Sequence, residues 1–334
     1  MHGISHLCYG PPETLNYTQL AKPVPGDDEV LVKVHAAGVN PLDWHTMRGS
    51  PYLMRMSSGL GKPENTKFGV DFSGVVESVG SNVTRFKPGD AVFGGANGAF
   101  AEYLVISQDR SIAKLPKNSS HEQGASVAIA GLTALQALRD SGQLKPGQKV
   151  LINGASGGVG TFAVQIAKHM GAEVHGVCST RNVDKVLALG ADRVFDYKKE
   201  DYTASGERFD LIVDMVGNHS ALKNTDVLTP NGRLVIVGGS KGDWLGPAKG
   251  PLLAFMTTPF VDQELLILFA KLKRADLETL ADLMSTGAVR PVIDKLYPLS
   301  EAAQAIRHSE TGRVRGKLVL QVGSGDIGAD TTQT

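Results

Sequence analysis

The run Asn153-Gly154-Ala155-Ser156-Gly157-Gly158-Val159-Gly160 has the residue types and spacing that cradle a dinucleotide pyrophosphate. Gly157 lets the backbone approach the phosphates, and Gly160 lets a helix pack closely on the preceding strand. The free N–H groups at the start of that helix then face an anion. Ala155 stands where the usual G-x-G-x-x-G pattern has its first glycine, so the spacing here is A-x-G-x-x-G. Ser156, Gly158 and Val159 are read as cofactor contacts with the rest of the loop. An NAD site usually has an Asp or Glu about 20 residues past the glycines, to bond the ribose 2′-hydroxyl. This chain has Ser179-Thr180-Arg181-Asn182 instead, with Lys185 one turn later. Two hydroxyls and a guanidinium suit a 2′-phosphate, which an acid would repel, so NADPH is expected over NADH.

Such a loop needs a strand before it and a helix after it. Val150-Leu151-Ile152 and the amphipathic stretch Thr161 to Lys168 supply them. The rhythm repeats, with strands read at Glu173–Cys178, Arg193–Tyr197, Phe209–Val216 and Arg233–Val237, and a helix over Val183–Leu189 stopped by Gly190. Short apolar runs alternating with helices indicate a parallel sheet covered on both faces. The fold class is therefore α/β, with a doubly wound domain over 124–290.

The first 120 residues read differently. Val30–Gly38, Phe72–Val79 and Ala91–Phe93 are strand-like and are separated by frequent prolines and glycines, which argues for an antiparallel, barrel-like β domain. Arg290–Leu299 and Gly316–Val322 return to that style around a helix from Ser300 to His308. The nucleotide domain, 124–290, thus reads as an insertion into a β domain made of 1–123 and 291–334.

Composition excludes several classes. Lys+Arg and Asp+Glu are equal at 34, so neither nucleic acid nor an anionic membrane is an expected partner. No apolar run approaches the roughly 18 residues that span a bilayer, so no integral membrane segment is expected. The N-terminus shows no signal peptide pattern. Two cysteines, Cys8 and Cys178, form no disulfide framework and fit a reducing, cytoplasmic setting. The tail from Ser324 to Thr334, rich in Gly, Asp and Thr, is expected to be disordered.

Across nearly its whole length the chain resembles the zinc-independent medium-chain dehydrogenase/reductases of the quinone oxidoreductase type. The matching stretches are Ala37–Asp43, Gly69–Val76, Phe86–Val92, Gly131-Leu-Thr-Ala134, Gly154–Gly160 and Gly316–Val319. Residues 149–322, including Arg290–Ile293, are most similar to the branch of the mitochondrial reticulon-interacting oxidoreductase and the chloroplast-envelope quinone oxidoreductase homologues. The resemblance implies a GroES-like β-barrel catalytic domain, a Rossmann domain, NADPH in the cleft between them and a homodimer. It implies no metal: Asn40 stands where zinc-dependent members place a Cys, and Val70-Asp71 where they place His-Glu. The nine histidines include no close pair with metal-ligand spacing, and His2 and His6 fall at a terminus expected to fray. Without a Lewis acid, a quinone or an enone is the easier acceptor, because its own π-system spreads the developing charge.

By resemblance, the segment from Asn40 to Tyr52 lines the nicotinamide end of the cleft. Asn40 is a candidate donor to an acceptor oxygen, or a turn residue before Pro41. Tyr52 is a candidate donor of a hydrogen bond or a proton to the same atom. His45 titrates near neutrality and is a third candidate, or a packed histidine beside Trp44. Asp43 is read more as a holder of backbone N–H groups than as a base. Further cofactor contacts are implied for Thr133, Tyr197, Val216, Gly217, Val237, Gly238 and Lys317. Thr133 could instead bond back to a helix carbonyl, and Lys317 could be a solvated strand residue.

Trp244, Leu245, Leu252, Leu253, Phe255, Met256 and Phe260 could line an acceptor pocket or pack at an interface, and Leu265–Phe269 reads as a strand extending the sheet toward a partner subunit. The expected function is NADPH-dependent reduction of a small-molecule acceptor, a quinone or an α,β-unsaturated carbonyl, by hydride transfer. The alternatives are a zinc-free NADP-dependent alcohol dehydrogenase, or an NADPH-binding sensor or assembly protein with little turnover.

Overall fold

The computed structural model of the protein describes residues 1–238 and 262–323. The apolar stretch from Trp244 to Phe260 and the tail from Ser324 lie outside the described residues.

The chain opens with an antiparallel hairpin, β1 (His2–His6) and β2 (Leu15–Gln19). The N-terminus is therefore not frayed at His2 and His6. Ile4 is buried and its N–H donates to the Phe100 carbonyl at 2.7 Å. His6 is fully buried, with Nε2 3.0 Å from the Met47 carbonyl, and burial lowers its pKa. The apolar anchor Ile4 lies between two histidines and a glycine, so the run shows little of the alternation that marks a strand.

The next strands are β3 (Glu29–Val39), β4 (Asp71–Val79), β5 (Ala91–Gly95), β6 (Tyr103–Ser107) and β7 (Ile112–Lys114). With β14 (Ile293–Pro298) and β15 (Lys317–Gln321) they form a seven-stranded sheet in the order β14-β15-β3-β4-β5-β7, with β6 also on β3. The long strand β3 organises it. One edge pairs with β4, while the other is shared between β6, against Glu29–Lys33, and β15, against Ala36–Val39. The sheet is antiparallel as expected, except that β14 and β15 pair in parallel. Helix α9 (Ala302–Glu310) makes the crossover between them.

Between β3 and β4 run α1 (Pro41–Arg48) and α2 (Arg55–Ser58). Two further helices, α3 (His121–Ala125) and α4 (Ala128–Gln136), lead to the second sheet. Its strands are β8 (Lys149–Asn153), β9 (Glu173–Cys178), β10 (Arg193–Asp196), β11 (Phe209–Asp214), β12 (Leu228–Ile236) and β13 (Glu264–Ile267). All pair in parallel, in the order β10-β9-β8-β11-β12-β13, with the connecting helices α5 (Gly158–His169), α6 (Val183–Ala188) and α7 (Ala221–Thr225). The order reverses between β8 and β11, which opens a crevice at the carboxyl ends of those strands. Helix α5 buries Phe162, Ala163, Val164, Ile166 and Ala167, and its last turn carries Lys168, whose charge suits the carbonyl end of the helix dipole. One core joins α4, α5, α8 (Arg274–Ser285) and the parallel sheet, and another fills the β domain around Phe68, Phe72 and Phe100. Among the described residues no helix is long and apolar enough to cross a membrane.

Candidate active site

Strand β8 delivers the chain into the glycine turn. Gly154 takes φ +95°, a backbone conformation that favours glycine, and so does the turning that the sequence pattern assigned to the next position. Ala155 is fully buried against the strand layer and tolerates its methyl group. A Cβ at Gly160 would lie 2.2 Å from the Gly154 carbonyl oxygen, so glycine is what allows α5 to sit on the turn. A Cβ at Gly157 would meet only that same oxygen, at 3.5 Å, which leaves open space where a pyrophosphate would approach the start of α5. Val159 packs at the edge of the core below.

Asn182 ties this turn to the end of β9. Its Nδ2 donates to Ser156 Oγ at 3.0 Å and Ser179 Oγ at 3.2 Å, and its Oδ1 accepts from Arg315 Nε at 2.9 Å. The Thr180 hydroxyl bonds the Asp196 carboxylate and is the main cause of that acid's lowered pKa. Arg181 Nη2 donates to the Arg313 carbonyl at 3.1 Å, and Lys185 Nζ to the Arg315 carbonyl at 2.6 Å. Three cationic side chains, from Arg181, Lys185 and Arg315, thus belong to one hydrogen-bonded junction that also uses the backbone carbonyls of Arg313 and Arg315. Burial lowers the Lys185 pKa, and the Arg315 charge lowers it further. Tyr197, just past β10, is exposed.

At the crevice, Asp214 ends β11 and organises the loop beyond it. Its Oδ1 accepts from the Val216 and Gly217 N–H groups, both at 2.9 Å, and from Asn153 Nδ2 at 2.8 Å. Its carbonyl accepts from the N–H groups of Val237 at 2.8 Å and Gly238 at 3.3 Å. Thr133 on α4 bonds back to the Ile129 carbonyl at 2.6 Å.

The third part of the site is a buried polar corner at the other end of the crossover. Asn40 caps α1 in an extended conformation, with Pro41 at the first helical position and Asp43 at the third. The Asn40 N–H donates to Asp43 Oδ2 at 2.7 Å, so Asp43 does hold a backbone group. Burial pushes the Asp43 carboxyl up to about 7. Lys317 Nζ donates to Asn40 Oδ1 and lies 3.4 Å from Asp71 Oδ2, while Asp71 Oδ1 accepts from the Ile129 N–H at 3.0 Å, in the first turn of α4. Burial raises the Asp71 carboxyl, and the Lys317 ammonium opposes that rise. Lys317 is only 3% exposed, which rules out the solvated reading. Its stem passes the glycine turn: a Cβ at Gly158 would lie 3.2 Å from Lys317 Cδ.

The rest of the α1 segment is held differently. His45 Nδ1 is 2.7 Å from the Ser50 carbonyl, its ring stacks on Trp44, and burial lowers its pKa, so the imidazole is neutral at neutral pH. Tyr52 is 36% exposed on a turn of 3-10 helix. The Arg55 guanidinium lies against two rings, 4.6 Å from the Tyr52 centroid and 4.5 Å from that of Tyr9. Arg55 also donates to the carbonyls of Gly49 at 2.9 Å and Arg48 at 3.0 Å.

The structure thus brings Asn40, Asp43 and Lys317 together and sets Tyr52 and His45 on the adjoining turn. Asp71, Arg55, Arg313 and Arg315 were not singled out from the sequence as site residues. The basic pair in Arg313-Val314-Arg315, just before the matched Gly316-Lys317, was the available signal for two of them. Nothing local marks Asp71 as the partner of a distant lysine.

Comparisons with known proteins agree with this layout. Residues 26–117 match the family described as alcohol dehydrogenase GroES-like domain, and residues 189–320 match the family described as zinc-binding dehydrogenase. Among the described residues, however, no three His, Cys, Asp or Glu side chains are grouped to hold a metal ion. The human quinone oxidoreductase is 33% identical over 96% of this chain and 97% of its own length. The human mitochondrial NAD(P)H oxidoreductase is 35% identical over 94% of this chain and 87% of its own length. The solved quinone oxidoreductase from Coxiella burnetii superposes with a TM-score of 0.84 at 33% identity, covering 96% of this chain and 99% of that one. The chain is an oxidoreductase and belongs to the medium-chain dehydrogenase/reductase family, in its quinone oxidoreductase branch.

Proposed function

We propose that the protein uses NADPH to reduce quinones or α,β-unsaturated carbonyls without a metal. The observation that carries this reading is the placement of Lys317, whose stem lies on the pyrophosphate turn and whose head lies in the Asn40 corner. A dinucleotide held at the turn and an acceptor held at the corner would be neighbours.

The residues present fit the cofactor. The open space over Gly157 takes the pyrophosphate, and the N–H groups at the start of α5 face it. The junction of Arg181, Lys185 and Arg315, with three cations beside the single carboxylate of Asp294, suits a 2′-phosphate. When bound, the reduced nicotinamide supplies a hydride. The chain's own part is to orient the acceptor, shield it from water and answer the negative charge that develops on its oxygen. Asn40 Nδ2 is the buried donor for that oxygen, and the Tyr52 hydroxyl is the more exposed donor that can also pass a proton. Neutral His45 has no spare proton at neutral pH and serves to staple the turn. The catalytic effect is proximity plus donors fixed in advance.

The test follows the absorbance of NADPH, with NADH alongside, against menadione, phenanthrenequinone and a short alkenal. Turnover with an NADPH preference is expected. Arg315→Gln is expected to raise KM for NADPH by about tenfold while leaving KM for NADH unchanged, the loss of one charge-assisted contact. Equal use of both cofactors, or no turnover with any acceptor, overturns the reading. We also propose a homodimer in which a second copy extends the parallel sheet at β13, where Ile267 and Phe269 are exposed at the sheet edge. Sedimentation equilibrium checks that.

A further inference from the structure

Asn182, just past β9, is 4% exposed, and both polar atoms of its side chain are committed. Its Nδ2 is held by Ser156 Oγ on the glycine turn and Ser179 Oγ at the strand end, while its Oδ1 accepts from Arg315 Nε. A guanidinium donates and never accepts, so the oxygen must face Arg315 and the amide cannot turn end for end. Arg315 is also gripped by its backbone. Its N–H donates to Asp294 Oδ2 at 2.9 Å, and its carbonyl accepts from Lys185 Nζ at 2.6 Å. With Nε spent on Asn182, the other end of the fork points away from the amide. Among the described residues neither Nη group of Arg315 makes a hydrogen bond or an ion pair. The side chain is half-buried, and the space over Gly157, beside Ser156, is open. A fixed fork with two unspent nitrogens matches the oxygens of a phosphate.

We propose that Asn182 is a positioning residue for the adenosine 2′-phosphate of the cofactor: it holds Arg315 by Nε, so that the Nη end is presented to that phosphate. This rests on the reading of the Arg315 junction as the 2′-phosphate site. A fork fixed in advance loses less freedom on binding than a mobile one. The residue type matters as well. A neutral amide holds the guanidinium without cancelling its charge, whereas an aspartate here would pair with it and repel the phosphate.

The experiment measures binding of 2′,5′-ADP and 5′-AMP to the full chain by calorimetry at low salt, with no acceptor and no turnover. The probes differ only in the 2′-phosphate, so the ratio of their Kd values reads that group alone. The native chain is expected to hold 2′,5′-ADP about 100-fold more tightly, the worth of two charge-assisted contacts. Asn182→Ala and Arg315→Gln are each expected to lower that preference about tenfold, and the double variant is expected to lose little more than Arg315→Gln alone. Asn182→Asp keeps the shape of the side chain and is expected to abolish the preference. It also serves if Asn182→Ala does not fold, which the thermal transition shows.

If the native chain holds both probes equally, or if Arg315→Gln keeps the preference, the 2′-phosphate reading fails and the role of Asn182 fails with it. If Arg315→Gln loses the preference while Asn182→Ala or Asn182→Asp keeps it, the positioning role alone is overturned. Equal weakening of both probes by Asn182→Ala would make the residue a support of the turn and would overturn it too. Losses that multiply in the double variant would do the same, since Asn182 would then act apart from Arg315.

Discussion

The Asn40 corner and the Tyr52 turn are neighbours in the chain, yet they are held in opposite ways. The corner is closed to water and built from charges and amides on β3, α1, β4 and β15, so its geometry depends on strands from both ends of the chain. The turn is half open, with Arg55 against Tyr52 and the distant Tyr9 and bonded to two nearby carbonyls. In a dry corner each polar group depends on the others, because an orphaned charge has no solvent to fall back on. On a wet turn, water replaces what is removed. The difference teaches that the Asn40 amide is fixed by strands from both ends of the chain, whereas Tyr52 is held at the surface by a stacked guanidinium.

The largest effect should come from breaking the corner's charge balance. Asp71→Ala leaves the Lys317 ammonium buried without its counter-charge and is expected to cost about 3–5 kcal/mol in urea denaturation. A cost under about 1 kcal/mol, the range of an exposed pair, would mean that the corner is wetter than its burial implies.

Titration of Asp43 should come next. Its folded pKa, about 7, lies above the ordinary value of 3.8, because burial penalises the ionised form. The stability held by the neutral acid is therefore complete below pH 3.8 and is lost as pH rises through about 7. Asp43→Asn removes that ionisation while keeping an oxygen for the Asn40 N–H. Relative to the native chain, the variant should gain about 2–4 kcal/mol between acid pH and pH 8, read by denaturation at a series of pH values. A pH-independent difference would place the Asp43 carboxylate among charges or water that relieve its burial.

The turn should respond in rate more than in stability. Tyr52→Phe is expected to lower kcat about tenfold, or about 1.4 kcal/mol at the transition state, with an unchanged melting temperature. Arg55→Ala is the smallest change, about 0.5–1 kcal/mol of stability from the lost ring contacts, with a fall in kcat only as far as Tyr52 loses its orientation. If Arg55→Ala destabilised the protein as much as Asp71→Ala, the contrast between the two regions would collapse.

Most of the scaffold was legible in the sequence because its signals are local. The strand–glycine–helix unit at Lys149–His169 and the apolar runs of the parallel sheet are written in consecutive residues. The hairpin at His2–His6 was not, since its burial is set by contact with Phe100 and Met47, far along the chain. The site divides along the same line. Asn40, Asp43, Tyr52 and Lys317 could each be singled out by type and position, but their relations could not. A lysine at a strand start is ordinarily solvated, and only the pairing of Leu318 with Val39 turns this one inward onto Asn40 and Asp71. Likewise Arg315 sits in a basic run, and its bond to Asn182 appears only when β15 returns to the sheet.

The shared edge of β3 carries a consequence for how the molecule is made. Synthesis runs from the N-terminus, so Asn40 leaves the ribosome well before Lys317, its partner 277 residues later. All the strands of the six-stranded sheet emerge in that interval, so the nucleotide half has everything it needs to fold first. Meanwhile the β3 edge from Ala36 to Val39 lies open, and exposed strand edges of this kind attract other chains. Arrival of β15 both covers that edge and brings Lys317 to Asn40 and Asp71, so the edge and the corner depend on the same strand.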